Sequence, residues 1–258
     1  MLNLLLSPVN AYRAGRLRDT SRNRKALADI PSALYPYWKS TAHIEFEGIP
    51  RDAFFFTFAA DALLTFFGCV RRSSRACALP SKAADSVWHA WLRMSPAGLD
   101  AFCVKHFGAA IPHLETAAMP VPIGAGLANC LVEARKREGI HPEGPALPRL
   151  FAADRRLRMP DGFAYAVVRG EIVCARMDRR GKPAFPECSQ SALAPAALLA
   201  AGLIAPHEFA RHEELVRERQ RSDNSGCGSS GSSCGSVSCD SGGGGDGGCG
   251  SGCGGGGD

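Results

Sequence analysis

The most apolar stretch of the chain is residues 54–67, where hydrophobic side chains recur with a helical period. Because these side chains extend most of the way round the helix, the pattern predicts a buried central helix. Asp61 lies within this stretch and needs a polar partner, since an unpaired buried carboxylate is costly. The expected partner is Arg71, Arg72 or a residue of the segment 81–115.

The capping residues of the following segment predict two helices. Ser81 is suited to N-cap a helix over residues 82–94, because its hydroxyl can accept a hydrogen bond from a free backbone N–H. Ser95 followed by Pro96 is suited to begin the second helix, and Gly108 is suited to end it. The tight connection predicts that the two helices pack as an antiparallel or crossed pair.

Further along the chain the hydrophobic period changes twice. A helical stripe over residues 123–134 ends in cationic residues and Gly139, as helix C-termini commonly do. Residues 163–168 and 171–176 then alternate about a two-residue turn, which predicts a β-hairpin. Prolines and a glycine at helix-bounding positions predict a helical hairpin over residues 191–221.

An aromatic cluster, Tyr-Pro-Tyr-Trp, occupies residues 35–38. The residue before a proline avoids the α-helical region, so the cluster is predicted to be extended. Two roles stay open for it: the rings cover a core, or they stack on nucleic-acid bases.

These elements predict a mainly α protein, with a helical bundle-like domain, one small β-hairpin and a C-terminal helical hairpin. The predicted boundaries are a helical core over 1–158, the β-hairpin lobe over 159–190, the helical hairpin over 191–221 and a disordered tail over 222–258. About 220 residues outside the tail are enough to bury a core.

Composition narrows the functional classes only modestly. The chain carries a formal charge of +5, and the body is more basic because the last 36 residues contain aspartates but no lysine or arginine. The arginines are scattered near acids and helix ends, so nucleic-acid binding is not favoured. No segment reaches about 18 uninterrupted apolar residues, and no convincing signal peptide is present, so we predict a cytoplasmic protein without a membrane span.

A group of polar residues on the two central helices is the strongest candidate site. Asp85 and His89 are four residues apart and share one edge of a helix, and His113 follows in a loop. Two ligands one turn apart and a third from a loop can bind zinc or another transition metal, with Cys103 or His106 as further candidate ligands. The alternative is structural, with Asp85 fixing the tautomer of His89 at the edge of a core.

The same residues also admit an enzyme. In that hypothesis His89, oriented by Asp85, acts as a general base in a cleft, and Cys103 or a bound metal is the nucleophile or electrophile. The metal-binding or protein-interaction role without catalysis is the preferred hypothesis. Convergence of the three candidate ligands would favour a metal site, and an open pocket beside His89 would favour an enzyme.

The pattern D-x-x-W-H, then F-C, F-G and H, resembles the glycine-rich domain-containing protein family, as does the Gly/Cys-rich C-terminus. The resemblance implies a mostly helical domain without an assigned activity. It also implies that the motif residues matter, namely Asp85, Trp88, His89, Phe102, Cys103, Phe107, Gly108 and His113. Residues 191–221 loosely resemble the short C-terminal helical-hairpin domain of bacterial proteins, which implies a contact with a protein partner.

From residue 222 the chain is almost entirely Gly, Ser, Cys and Asp, a composition that predicts disorder. Its cysteine spacings fit structural zinc sites only in part. A flexible thiol-rich tail is nevertheless a second candidate metal-binding element. Its cysteines are Cys227, Cys234, Cys239, Cys249 and Cys253.

Overall fold

The computed structural model describes residues 2–114, 118–140, 146–184 and 187–225. The helices and strands in this part of the chain are α1 (Leu2–Thr20), α2 (Arg24–Ala28), α3 (Leu34–Glu45), α4 (Ala53–Arg72), α5 (Lys82–Met94), α6 (Pro96–Phe107), α7 (Ile123–Glu138), α8 (Arg149–Leu157), β1 (Phe163–Val168), β2 (Glu171–Arg176), β3 (Cys188–Ser189), α9 (Pro195–Ala200) and α10 (Pro206–Ser225). The prediction of a mainly α protein with a small β-hairpin and a C-terminal helical hairpin is confirmed.

Helix α4 is the centre of the core, as predicted. The Asp52 carboxylate caps its first turn by accepting hydrogen bonds from two backbone amides, and α1, α5, α7 and α8 pack around it. Helix α4 is long and apolar enough to cross a membrane, but the buried core helix of a globular protein meets the same criteria of length and composition. In this fold 83% of the most apolar 18-residue stretch of α4 is buried.

The prediction for the partner of Asp61 was wrong. Its carboxylate accepts hydrogen bonds from Ser21 Oγ and from Asn23 Nδ2, the latter at 2.8 Å. Arg71 instead donates to the carbonyl of Phe107 at 2.7 Å, at the C-terminal end of α6. The sequence did not indicate these partners, because Ser21 and Asn23 lie 40 and 38 residues before Asp61, in the turn between α1 and α2.

The aromatic cluster at residues 35–38 is helical, so the prediction of an extended segment was also wrong. Pro36 lies in the first turn of α3, where a backbone N–H would have no partner within the helix. Trp38 is completely buried, stacks on Phe55 at 5.7 Å and donates to Ser86 Oγ at 3.1 Å. Its ring therefore belongs to the core and is not placed to stack on a base.

The two helices that carry the candidate site begin and end where the capping residues predicted. The hydroxyl of Ser81 accepts from the amide of Ala84 at the start of α5, and Ser95 does the same for Gly98 in α6. Gly108 ends α6 in the left-handed conformation, with a φ of 83°.

The start of α5 is also held from outside the helix. The buried carboxylate of Asp154 on α8 accepts from Ser81 Oγ and from the amides of Lys82 and Ala83. A further hydrogen bond joins Asp154 to the amide of Phe163, so this side chain connects α5 with β1. Sequence analysis missed α8 as a separate helix.

The predicted β-hairpin is confirmed, with β1 antiparallel to β2 about Arg169 and Gly170, both at positive φ. A third strand, β3, was not predicted; it pairs with β2 and gives the sheet the order β1-β2-β3. Residues of the sheet and of the C-terminal hairpin share one core cluster with the helices. The domain boundaries drawn from the sequence remain predictions.

The C-terminal helical hairpin is confirmed as α9 and α10, with Gly202 at a φ of 66° between them. Although Ala205 cannot cap α10 with its side chain, the carboxylate of Glu208 accepts from the Ala205 amide at 2.6 Å. The protein-partner role of this hairpin stays a prediction. The five tail cysteines and most of the predicted disordered tail lie outside the described residues.

Candidate metal centre

Three of the predicted site residues converge at the solvent-facing edge of α5. Asp85 and His89 lie one turn apart on this helix, and His113 approaches from the segment that follows α6. The ring of Trp88 contacts the edge of the His113 ring at a centroid distance of 4.5 Å. Trp88 is itself nearly buried against Phe67, so the core fixes the position of His113.

The distances among the three ligand atoms suit one small cation. The Nε2 atoms of His89 and His113 are 3.1 Å apart. The Oδ1 atom of Asp85 lies 3.2 Å from the Nε2 of His113 and 3.5 Å from the Nε2 of His89. A tetrahedral ion with ligand bonds of about 2.0–2.1 Å has its ligands about 3.3–3.4 Å apart. The three observed distances, 3.1, 3.2 and 3.5 Å, lie on either side of this ideal spacing.

A fourth residue of this centre, Glu45 at the end of α3, was not predicted from the sequence. Its Oε1 contacts the Nδ1 of His89, and its Oε2 accepts from Arg93 at 2.7 Å. A carboxylate can only accept from a neutral imidazole, so Glu45 holds the proton of His89 on Nδ1 and leaves Nε2 as the lone pair that faces Asp85 and His113. No sequence signal pointed to Glu45, because it lies 44 residues from His89 on another helix.

This arrangement changes the role predicted for Asp85. In the enzyme hypothesis Asp85 orients His89, but the structure gives that function to Glu45. Asp85 instead faces the same point as the two histidine Nε2 atoms. The side chains of the three candidate ligands are each about a quarter exposed, so water can reach the point between them.

The two other candidate ligands are not part of the centre. Cys103 is fully buried, and this burial raises the pKa of its thiol to about 11. His106 pairs with Asp29, with 3.0 Å between its Nε2 and the carboxylate. Within the described part of the chain, the potential metal ligands whose ligand atoms all lie within 4.8 Å of one another are those of Asp85, His89 and His113.

The remaining motif residues form the wall behind the centre. Phe67 packs against both Trp88 and Phe107, with ring centroids 5.0 and 5.7 Å away, and Phe102 packs on Trp91. These aromatic residues therefore form one packed unit with the helix that presents two of the three ligand atoms.

Two pockets lie elsewhere in the fold. One of about 480 Å³ lies between α7 and the C-terminal hairpin and is mainly apolar. A second of about 370 Å³ is lined by basic residues from the α1–α2 turn and by Arg137. Neither is lined by His89, so these pockets do not supply the cleft that the enzyme hypothesis requires.

Residues 56–183, just under half of the chain, match the model of a family described as UCP032817-like. The three converging residues fall inside the matched region, whereas Glu45 falls outside it. The description names no activity. No curated protein and no solved structure matches the chain.

Proposed function

We propose that this protein binds one divalent transition-metal ion through Asp85 Oδ1, His89 Nε2 and His113 Nε2. The observation that carries the proposal is the triangle of ligand atoms, with edges of 3.1, 3.2 and 3.5 Å. Asp85 and His89 lie on α5, whereas His113 lies in a separate segment that packs on Trp88. The tertiary fold therefore brings the three ligand atoms together.

Zinc is the ion that this ligand set suits first. Zinc in proteins accepts imidazole nitrogen and carboxylate oxygen in tetrahedral geometry, and three protein ligands leave one position for water. Ferrous iron uses the same combination of two histidines and one carboxylate, so it is the main competitor. Glu45 supports either ion by fixing the tautomer of His89.

A second candidate function is metal-dependent hydrolysis. It is favoured by the open fourth position and the partial exposure of the three side chains, because a zinc-bound water can ionise near neutral pH and act as a nucleophile. Binding without catalysis remains the preferred function, since neither the pocket of about 480 Å³ nor that of about 370 Å³ is lined by His89.

Elemental analysis of the purified protein tests the proposal. We expect about one zinc or iron per chain, both in the intact protein and in a chain ending at Ser225, which lacks the tail cysteines. His89→Ala and His113→Ala should lose this metal. His106→Ala is the matched control, because His106 pairs with Asp29 away from the centre.

The result that would overturn the proposal is a well-folded His89→Ala protein with unchanged metal content. Metal that disappears only with the tail would assign binding to the tail cysteines. The four side chains would then form a structural hydrogen-bonded chain from Glu45 through both histidines to Asp85.

A further inference from the structure

Three thiols from separate elements lie near one another. Cys69 belongs to α4, Cys77 to the segment between α4 and α5, and Cys130 to α7. Burial, followed by hydrogen bonding with Cys69 and Cys77, raises the pKa of the Cys130 thiol, which lies close to both. Cys130 is completely buried, whereas Cys77 is partly exposed. Of these two cysteines, only Cys77 is therefore accessible to solvent.

The contact between Cys77 and Cys130 follows from how the backbone is held. Asn129, adjacent to Cys130, donates from Nδ2 to the carbonyl of Ala76 at 2.7 Å. On the other side of Cys77, the amide of Ala78 donates to the carbonyl of Gly126 at 3.0 Å. The segment is thus attached to α7 on both sides of Cys77, which keeps this residue beside α7, where its thiol hydrogen-bonds with that of Cys130.

Gly126 permits this close approach. A Cβ atom at this position would lie 3.0 Å from the Ala78 Cβ and 3.1 Å from the Ala78 amide nitrogen. A side chain there would therefore push the segment away from α7 and separate the two thiols.

The two thiols differ in the way that a reactive and a resolving cysteine differ. Hydrogen bonds from Cys130 and Ser73 lower the pKa of Cys77, against the opposing effects of partial burial and of Glu133. Burial raises the pKa of Cys130. Oxidant-sensitive cysteines are typically accessible, low in pKa and next to a second thiol.

We propose that Cys77 and Cys130 form a reversible disulfide when the protein meets a peroxide. The Cys77 thiolate attacks one oxygen of hydrogen peroxide, the O–O bond breaks, and the departing hydroxide takes up a proton as water. The Cys130 sulfur then attacks the Cys77 sulfenic acid, forming the S–S bond. The second hydroxide leaves with the Cys130 proton, so two thiols and one peroxide yield one disulfide and two waters.

A pocket lies beside the segment that carries this pair, although neither thiol lines it. The apolar pocket of about 480 Å³ is lined by Arg75 and Ala76, which immediately precede Cys77, and by Asn129, which precedes Cys130. The site is separate from the metal centre and uses none of its residues. The inference therefore does not depend on the proposed metal.

Peptide mapping of the full-length protein tests the proposal. The protein is treated with hydrogen peroxide, remaining thiols are blocked with N-ethylmaleimide under denaturing conditions, and the digest is examined by mass spectrometry. We expect a linked peptide pair containing Cys77 and Cys130, which a thiol reductant abolishes. In the native protein, Cys77 should also be alkylated at least about tenfold faster than the buried Cys103.

Two variants define the roles. In Cys130→Ala the linked peptide should be absent, and Cys77 should be trapped as a sulfenic acid by dimedone. In Cys77→Ser, Cys130 should stay reduced. The proposal is overturned if native Cys77 stays unmodified under peroxide, or if it pairs with a tail cysteine in place of Cys130. A disulfide between Cys69 and Cys130 would also overturn it.

Discussion

The Nε2 atoms of His89 and His113 lie 3.1 Å apart although 24 residues separate the two histidines in the chain. Two imidazole nitrogens at this distance need either a proton between them or a cation that both lone pairs approach. In a neutral His89, Glu45 holds the proton on Nδ1, so Nε2 can only accept. The carboxylate of Asp85 beside both nitrogens favours a cation.

Glu45→Gln should weaken metal binding about 10- to 100-fold, the usual effect of losing a carboxylate behind a histidine ligand. A glutamine amide accepts more weakly from Nδ1 and can turn its NH₂ group towards the ring, which favours the wrong tautomer. The affinity is measured by competition with a chromophoric zinc chelator.

The matched control is Glu47→Gln, an exposed glutamate two residues away whose nearest cation is Arg179 at 3.8 Å. It should leave the affinity unchanged. Equal affinities for Glu45→Gln and the unmodified protein would show that Glu45 does not position His89.

Acidification should release the metal steeply. Both His89 and His113 must be neutral to offer Nε2, so protons compete with the ion for two ligands at once. If two protons are displaced by each ion, the apparent affinity should fall by up to about 100-fold for each pH unit of acidification. Zinc titrations at several pH values measure the slope, and a slope of one proton or fewer would mean that only one histidine binds.

The sequence predicted the helices of the site well because their signals are local. Ser81, Ser95, Pro96 and Gly108 each act on the adjacent turn, so the bounds of α5 and α6 could be read from short spacings. Asp85 and His89 were placed on one edge for the same reason, through their spacing of one helical turn.

Contacts between distant segments were the ones that sequence reasoning missed. Glu45 reaches His89 only because α3 packs against α5, and no spacing encodes that packing. Likewise the partners of Asp61 come from the α1–α2 turn, whereas the nearby Arg71 points to α6. The rule about residues before a proline misled the prediction for residues 35–38, because the first turn of a helix tolerates proline.

Cys103 should make the protein sensitive to alkaline pH. Burial raises the pKa of its thiol to about 11 from an ordinary value of 9.0. The unfolded chain therefore loses this proton at a lower pH than the folded chain does. The stability contribution is complete below about pH 9 and is lost as the pH rises towards about 11, with a magnitude of about 2–3 kcal/mol.

The test compares the free energy of unfolding of the wild type and Cys103→Ala at about pH 8 and pH 11. The difference between the two proteins isolates Cys103 from other alkaline titrations. It should shrink at the higher pH. A difference that is independent of pH would contradict the burial of this thiol.

Asp154→Asn should destabilise the fold by about 3 kcal/mol. One carboxylate oxygen accepts from the amides of Lys82 and Phe163, at 3.0 Å each, and the other accepts from Ser81 and Ala83. An asparagine NH₂ cannot accept, so in either orientation of the amide two of these four donors lose their acceptor. Urea denaturation measures the loss.

Asp178→Asn is the control for that change. Asp178 also accepts from two backbone amides, those of Arg180 and Lys182, but both bind the same oxygen, so an asparagine can keep both bonds with its amide oxygen. We expect a loss below about 1 kcal/mol there. Similar losses for the two variants would show that Asp154→Asn does not leave donors without an acceptor.

The polar network around Asp61 gives the last prediction. Asn23 donates to the Asp61 carboxylate at 2.8 Å and to Thr65 at 3.0 Å, and its own carbonyl oxygen accepts from Arg137. Asn23→Ala removes these three bonds and a fourth, from Nδ2 to the carbonyl of Asp61 at 3.1 Å. Of the two side chains that donate to the Asp61 carboxylate, only Ser21 would then remain. The expected cost is about 2–4 kcal/mol.

Thermal unfolding gives a direct measure of this cost, since 1 kcal/mol corresponds to about 2–4 °C in a protein of this size. Ser40→Ala serves as the control, because its hydroxyl donates to a nearby carbonyl on the exposed side of α3. The Tm of the Asn23→Ala variant should be at least about 4 °C lower than that of the control. If the two melt together, Asp61 does not depend on the α1–α2 turn, and the network would not hold that turn against α4.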